Sequence, residues 1–294
     1  PPTPPPPPHF FFKSEDGIRY FCLSRGIVDV YKRQNKNLVM GILNATDDSF
    51  SGDGIGNNVD KALKVTKEYV DAGVEIIDVG GESTRPKSIY EGVNEVSSEE
   101  ELSNVIPIID AIRSNFDVTV SIDTRKADVA EEAVSHGADI INDISMLSYD
   151  EKMIELLKKL NNPYILTHNK KINTVNVVGQ VIDDLKSKIE FLKKKGIARD
   201  RIVIDPGFGF NKTVNQNIEL HNNFKSEKFD NLPILVGTSK KSFLGEISKN
   251  KDISSRTEIS IASALDLKNK GANIFRMHDA VLFKKIINYL ELLK

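Results

Sequence analysis

From Leu38 onward, short runs rich in Val and Ile alternate with stretches in which apolar positions recur at helical spacing. "LVMGILN" (38–44) is the first run. The segment "DKALKVTKEYVDAG" after it places Ala62, Val65, Tyr69 and Val70 on one helical face, with Gly73 suited to the C-terminal cap. "EIIDVGG" reads as a second strand. Its helix opens on Ser98-Glu99-Glu100-Glu101, a capping-box pattern, and continues through Leu102, Val105, Ile109 and Ile112. Pro107 inside that helix predicts a kink or a break. The alternation then repeats: strand "VTVSID", helix 126–136, strand "ADIINDI", helix 151–161, strand "PYILTH", helix 180–195 and strand "RIVID". A weaker helix near 214–226, strand "PILVGTS", helix 256–270, strand "NIFRMHD" and a helix over 280–293 complete the pattern.

Strands this rich in Val and Ile, with little alternation, predict a parallel sheet covered on both faces. Eight βα units over about 250 residues match a (β/α)8 TIM barrel of the α/β class. A doubly wound open sheet is the structural rival. It is disfavoured because no G-x-G-x-x-G follows the first strand: "GFGFNK" and "GDGIGN" both fail at the last position. Residues 35–294 are therefore expected to form one barrel. Residues 1–34 differ, since seven of the twelve prolines lie in the first eight positions and a Phe triplet follows. Such a stretch forms an extended helix open to SH3-like partners. It is expected to carry no fold information, with "GIVDV" (26–30) at most a short strand.

Composition narrows the function classes. A net charge of −2 argues against a nucleic-acid partner, and 39% hydrophobic with 28% charged residues is ordinary for a globular protein. Cys22 is the single cysteine, which excludes a disulfide framework and a Cys-based zinc site. No apolar run approaches the ~20 residues of a membrane helix. The opening "PPTPPPPPHFFFK" lacks the basic region of a secretory signal, so a cytoplasmic protein without membrane partners is expected.

The chemistry lies at the ends of the strands. In order these ends carry Asn44; Asp78 with Glu82; Asp123; Asn142; His168; Asp205; Ser239 with Lys241; and Arg276 with His278. In a barrel they converge on one mouth, which explains why the greasy run "IVIDPGFGF" ends in a carboxylate. Asp123, Asn142, Asp205 and Lys241 suit a flat heterocycle with several N–H donors and ring acceptors. Arg276 and His278, two apart on a strand, face one side and together can hold an anion. Ser242 opens a short helix, "SFLGEI", whose N-terminal N–H groups can receive a carboxylate or phosphate. The loops "NATDDSFSGDGIGNN" and "GGESTRPKSIYEG" are long enough to close over the mouth. His136 and His221 fall in helical segments and read as surface residues, while position alone leaves His168 undecided. Zinc motifs, a nucleophile elbow and a Walker A loop are absent.

Taken together, "MGILNATDDSF", "IIDVGGESTRP", "SIDT", "IINDI", "IDPGFGF", "VGTSKKSFLG" and "FRMHD" resemble bacterial dihydropteroate synthase, in order through all eight units. The resemblance implies condensation of 7,8-dihydropterin-6-ylmethyl diphosphate with para-aminobenzoate, using Mg²⁺, to give 7,8-dihydropteroate and pyrophosphate in folate biosynthesis. It also implies a homodimer and a sulfonamide target. Carried over by motif, Asp123, Asn142, Asp205 and Lys241 hold the pterin, and Asn44 sits on the Mg²⁺–diphosphate. Arg276 and His278 bind the departing diphosphate, and with Asp205 and Lys241 they form the catalytic set. Thr84, Arg85, Pro86, Phe210 and Ser242 shape the aminobenzoate pocket, and Asp48, Phe50 and Asp53 belong to the first loop. The sequence departs from the family pattern at Ala45, Asp47, Lys87, Thr167 and Lys240. It also has Gly52 where the family has Asp, with Asp53 one step later. Two other readings compete: a pterin-binding methyltransferase that passes a methyl group from a methylated folate to a corrinoid protein, and a degenerate pterin-binding protein without turnover.

Overall fold

The computed structural model describes residues 37–46, 54, 56, 58–82, 95–249 and 252–293. The proline-rich stretch, the candidate strand at 26–30, and Asp48, Phe50, Asp53, Thr84, Arg85 and Pro86 lie outside the described residues. Each Val/Ile run becomes a strand: β1 (Leu38–Asn44), β2 (Ile76–Gly80), β3 (Thr119–Asp123), β4 (Ile140–Asp143), β5 (Tyr164–Thr167), β6 (Ile202–Asp205), β7 (Leu235–Val236) and β8 (Ile274–Met277). All named pairs are parallel, and β1 lies between β2 and β8. A bridge from Ile204 to Ile234 joins the remaining two edges. First and last strands as neighbours, with that bridge, make the α/β ring that the alternation predicts rather than an open sheet.

Helices cover the outside: α1 (Val59–Ala72), α2 (Ser98–Asn115), α3 (Ala127–Ser135), α4 (Lys152–Lys159), α5 (Val177–Lys194), α6 (Val214–Asn223), α7 (Ser242–Ile247), α8 (Thr257–Asn269) and α9 (Ala280–Leu292). Gly73 caps α1 in the left-handed region at φ 82°, as its position suggests. The α1 face is turned slightly from expectation: Ala62, Thr66 and Tyr69 are buried, whereas Val65 and Val70 are half-buried. Pro107 does not break α2. It lies on the exposed face, where the carbonyl left without its N–H partner four residues back is within reach of solvent, while Val105, Ile108, Ile109 and Ile112 stay in the core.

The α2 cap is also shifted by one. Ser97, not Ser98, accepts the Glu100 N–H at 3.1 Å, which frees Glu101 to turn inward and meet Lys126. Ser97→Ala is therefore expected to cost about 1 kcal/mol in urea denaturation. Ser98→Ala should change stability by less than about 0.5 kcal/mol; the reverse ranking would reinstate Ser98 as the cap.

Candidate active site at the barrel mouth

Two layers fill the ring. Leu38, Met40, Ile76, Ile140, Ile165, Val203, Leu235 and Ile274 form an apolar cluster separate from the main core between sheet and helices. Strand residues two apart share a face. Above Ile76, Ile140, Ile165, Val203 and Ile274 therefore stand Asp78, Asn142, Thr167, Asp205 and Arg276. Pairing register levels them: Asn44 lies opposite Gly80, Gly80 opposite Asp123, Asp123 opposite Asn142, and Thr167 opposite Asp205. Gly237 completes the layer above Leu235; a Cβ there would lie 3.9 Å from that of Arg276, so the missing side chain leaves the arginine room.

Charges in this layer are arranged around Arg276. Its Nε donates to Asp78 Oδ2 at 2.6 Å and its Nη2 to Asp123 Oδ2 at 2.6 Å. Asn142 Nδ2 also donates to Asp78, at 3.1 Å. Burial opposes the guanidinium charge, but the two carboxylates overcome it and hold Arg276 fully protonated. Burial pushes the Asp123 carboxyl up to about 7, reinforced by Asp78 and Glu101 and opposed by Arg276 and Lys241. Burial likewise raises Asp205, against the Gly207 N–H, which donates to its Oδ1 at 2.7 Å, and against Lys241, Lys212 and Arg276. Lys241 is drawn down to about 8 by burial and by Arg276. Asp78, Asp123 and Asp205 thus face Arg276, Lys241 and Lys212, a nearly balanced set in a low-dielectric space.

The structure brings Asp123, Asn142, Asp205, Lys241 and Arg276 together. It places Lys241 Nζ 3.9 Å from the centroid of the half-buried Phe210 ring. Ser242 is exposed at the start of α7. His278 Nδ1 lies 3.0 Å from Ser239 Oγ. A cavity of about 390 Å³ between α1 and α9 is lined by both Asn44 and His278. Asp78 and Thr167 are the inward residues that the sequence left out of the pterin set; the two-residue step from Ile76 and Ile165 is the signal that finds them.

His168 is fully buried, with Nε2 3.2 Å from Asp184 and Nδ1 3.0 Å from Lys212 Nζ, so it buttresses the wall. Burial pulls its pKa to about 4. His221 is not a plain surface residue. It is half-buried, its ring meets Phe208 edge-on at 6.0 Å, and Nε2 lies 3.0 Å from Ser263 Oγ. Where the second loop leaves β2, Glu82 accepts from Arg125 Nη2 at 2.7 Å and from Lys126 Nζ at 2.8 Å, while Lys126 also meets the buried Glu101.

Asn142 Oδ1 and Thr167 Oγ1, buried in the polar layer, have no hydrogen-bond partner among the described residues. Buried polar atoms are rarely left so, and the place to satisfy them is the mouth itself. No group of three or more His, Cys, Asp or Glu among the described residues is arranged for a metal ion. An oxygen donor such as Asn44 fits Mg²⁺ of the kind held mainly by substrate phosphates rather than by a protein cage.

The model of a family described as pterin binding enzyme matches residues 40–278. The chain belongs to the pterin-binding enzyme family. The dihydropteroate synthase of Clostridium beijerinckii is 44% identical over 84% of this chain and 90% of its own length. Among solved structures of the family, the Yersinia pestis dihydropteroate synthase with a sulfonamide drug complex aligns at a TM-score of 0.79, with 35% identity over 88% of this chain and 95% of that one. The Clostridium difficile dihydropteroate synthase, solved in the presence of pteroic acid, aligns at 0.76, with 36% identity over 87% and 97%. In this pterin-binding enzyme the unpartnered acceptors thus occupy the mouth of the fold that those relatives share.

Proposed function

We infer that the chain is a transferase catalysing the dihydropteroate synthase reaction in folate biosynthesis. It joins 7,8-dihydropterin-6-ylmethyl diphosphate to para-aminobenzoate and releases pyrophosphate. The observation that carries the assignment of the pocket is the unsatisfied Asn142 Oδ1 in one polar layer with Asp205 and Asp123. A pterin edge offers the N–H donors that these oxygens require, and Lys241 donates to a ring acceptor.

As the bond from the pterin methylene to the diphosphate oxygen breaks, positive charge grows on carbon and negative charge on the leaving oxygens. The Asp205 carboxylate lies on the pterin side of this separation, and Arg276 and His278 receive the departing diphosphate. Mg²⁺, bound through the diphosphate and Asn44, would supply further charge neutralisation. The aryl amine attacks the methylene carbon and loses its proton, in a pocket bounded by Phe210, Ser242 and the Thr84-Arg85-Pro86 loop. No protein nucleophile is consumed. The protein acts in the cytoplasm as a homodimer; exposed Leu282, Tyr289 and Leu292 line one side of α9 and support a second copy there.

Pyrophosphate release by the purified protein, with the pterin diphosphate and Mg²⁺, is expected to depend on para-aminobenzoate and to match dihydropteroate formed. Pterin binding without amine-dependent release would instead support the methyltransferase or the inactive pterin binder.

A further inference from the structure

Lys212 is a cation the mechanism above does not use. It is half-buried, with its ammonium turned inward against four acceptors: Gly207 O at 2.8 Å, His168 Nδ1 at 3.0 Å, Phe210 O at 3.2 Å and His168 O at 3.3 Å. Two of these belong to the turn that leaves β6, and two to the tip of β5. One side chain therefore bends the Pro206–Phe210 turn back on itself and ties it to the neighbouring strand. The turn leaves little slack, because Gly207 has φ +72° and a Cβ there would lie 1.9 Å from the His168 carbonyl oxygen. At one end of the turn Asp205 accepts the Gly207 N–H; at the other, Phe210 lies under Lys241 Nζ.

His168 is oriented for this task. With Nδ1 accepting from Lys212, Nε2 carries the proton and donates to Asp184, which Lys170 holds from outside at 2.8 Å. Lys212 is drawn down to about 7 by burial, with Asp205 and Asp184 resisting and Lys241 adding to the fall. Its charge in turn works against the rise of Asp205.

We propose that Lys212 is a positioning residue for pterin binding, whose ammonium fixes the turn between Asp205 and Phe210 and adds positive charge beside Asp205. The proposal rests on the synthase reading of the mouth. Asn217 ties the same turn independently, accepting from Gly209 N–H at 2.7 Å and donating to Lys212 O at 3.2 Å, so neutral replacement of Lys212 leaves the turn partly held.

The test is Lys212→Gln, titrated calorimetrically with pteroic acid and, separately, with inorganic pyrophosphate plus Mg²⁺. Pteroic acid affinity is expected to fall about tenfold or more, because charge-assisted bonds are lost. Pyrophosphate affinity should stay within about twofold, since Lys212 does not border Arg276 or His278. Unchanged pteroic acid binding, or equal loss of both ligands as in general loosening, overturns the proposal. Should the glutamine variant fail to fold, Lys212→Arg keeps the charge but presents a planar fork to acceptors grouped around one nitrogen. Pteroic acid binding several-fold weaker, with pyrophosphate unchanged, supports the proposal; parental pteroic acid binding overturns it. A parent protein that binds neither ligand sinks the synthase reading and the inference with it.

Discussion

Asp205→Asn is expected to weaken pteroic acid binding by roughly 100-fold while the melting temperature stays within a few degrees of the parent, because removing one partner of a buried charged contact costs ~2–5 kcal/mol of binding. Stability is spared for a separate reason. Asn keeps an oxygen that can accept the Gly207 N–H, so the turn after β6 retains its bond. The substitution also removes a buried carboxylate whose ionisation burial already opposes. Part of the loss in binding is indirect. Lys241 is held charged against burial by Asp205 and Asp123, so losing Asp205 lowers its pKa further below about 8 and weakens its donation to the ring. Calorimetry with pteroic acid and a thermal melt separate the two quantities. Parental affinity in a well-folded variant would remove Asp205 from the pocket.

The barrel was legible in the sequence because its two periods differ: strands of at most seven residues read as Val/Ile runs, and all helices but the six-residue α7 are longer and carry apolar positions at helical spacing. The site was legible as far as it consists of strand ends, since a polar residue after a Val/Ile run needs a reason. What stayed hidden depends on relations across the sheet. Asp78 reads as one more strand-end acid, and only the register β8–β1–β2–β3 shows that one arginine bridges it to Asp123. Glu101 is buried against Lys126, twenty-five positions away, and with its side chain engaged there it takes no part in the cap of α2, which stands at Ser97. Lys212 looks like any lysine after a glycine-rich turn, because nothing local says that its ammonium folds back under the turn onto His168 at the tip of β5. His221 follows the same rule: helix periodicity places it at the surface, and only the packing of α6 against Ser263 of α8 covers it.

Arg276→Met is expected to abolish turnover and to destabilise the fold by about 3–5 kcal/mol at pH 8, since it strands two buried carboxylates. The pH dependence separates this cost from the catalytic loss. Asp123 has its ordinary carboxyl pKa near 4 in the unfolded chain and about 7 in the folded one. A carboxyl raised on folding stabilises the folded state fully below its unfolded pKa, and that contribution is lost as pH rises through the folded value. In the parent, the Asp123 contribution therefore declines between about pH 4 and pH 7 and is flat above. Arg276 is a charge that restrains the rise of Asp123, so without it the folded pKa climbs beyond 7 and the decline extends upward. The stability gap between variant and parent should accordingly be smaller at pH 5, where Asp123 is protonated in both, and widen through pH 7 to pH 8.5 in urea denaturation. A gap independent of pH would mean that Arg276 does not stabilise the fold through the charge of Asp123. Adding Asp123→Asn to Arg276→Met should return much of the lost stability at pH 8, because one stranded charge is gone. Turnover should not return, because Asp123 itself belongs to the proposed pterin set and the guanidinium proposed to receive the diphosphate is still missing; a double variant that regained activity would show that Arg276 serves only to neutralise Asp78 and Asp123.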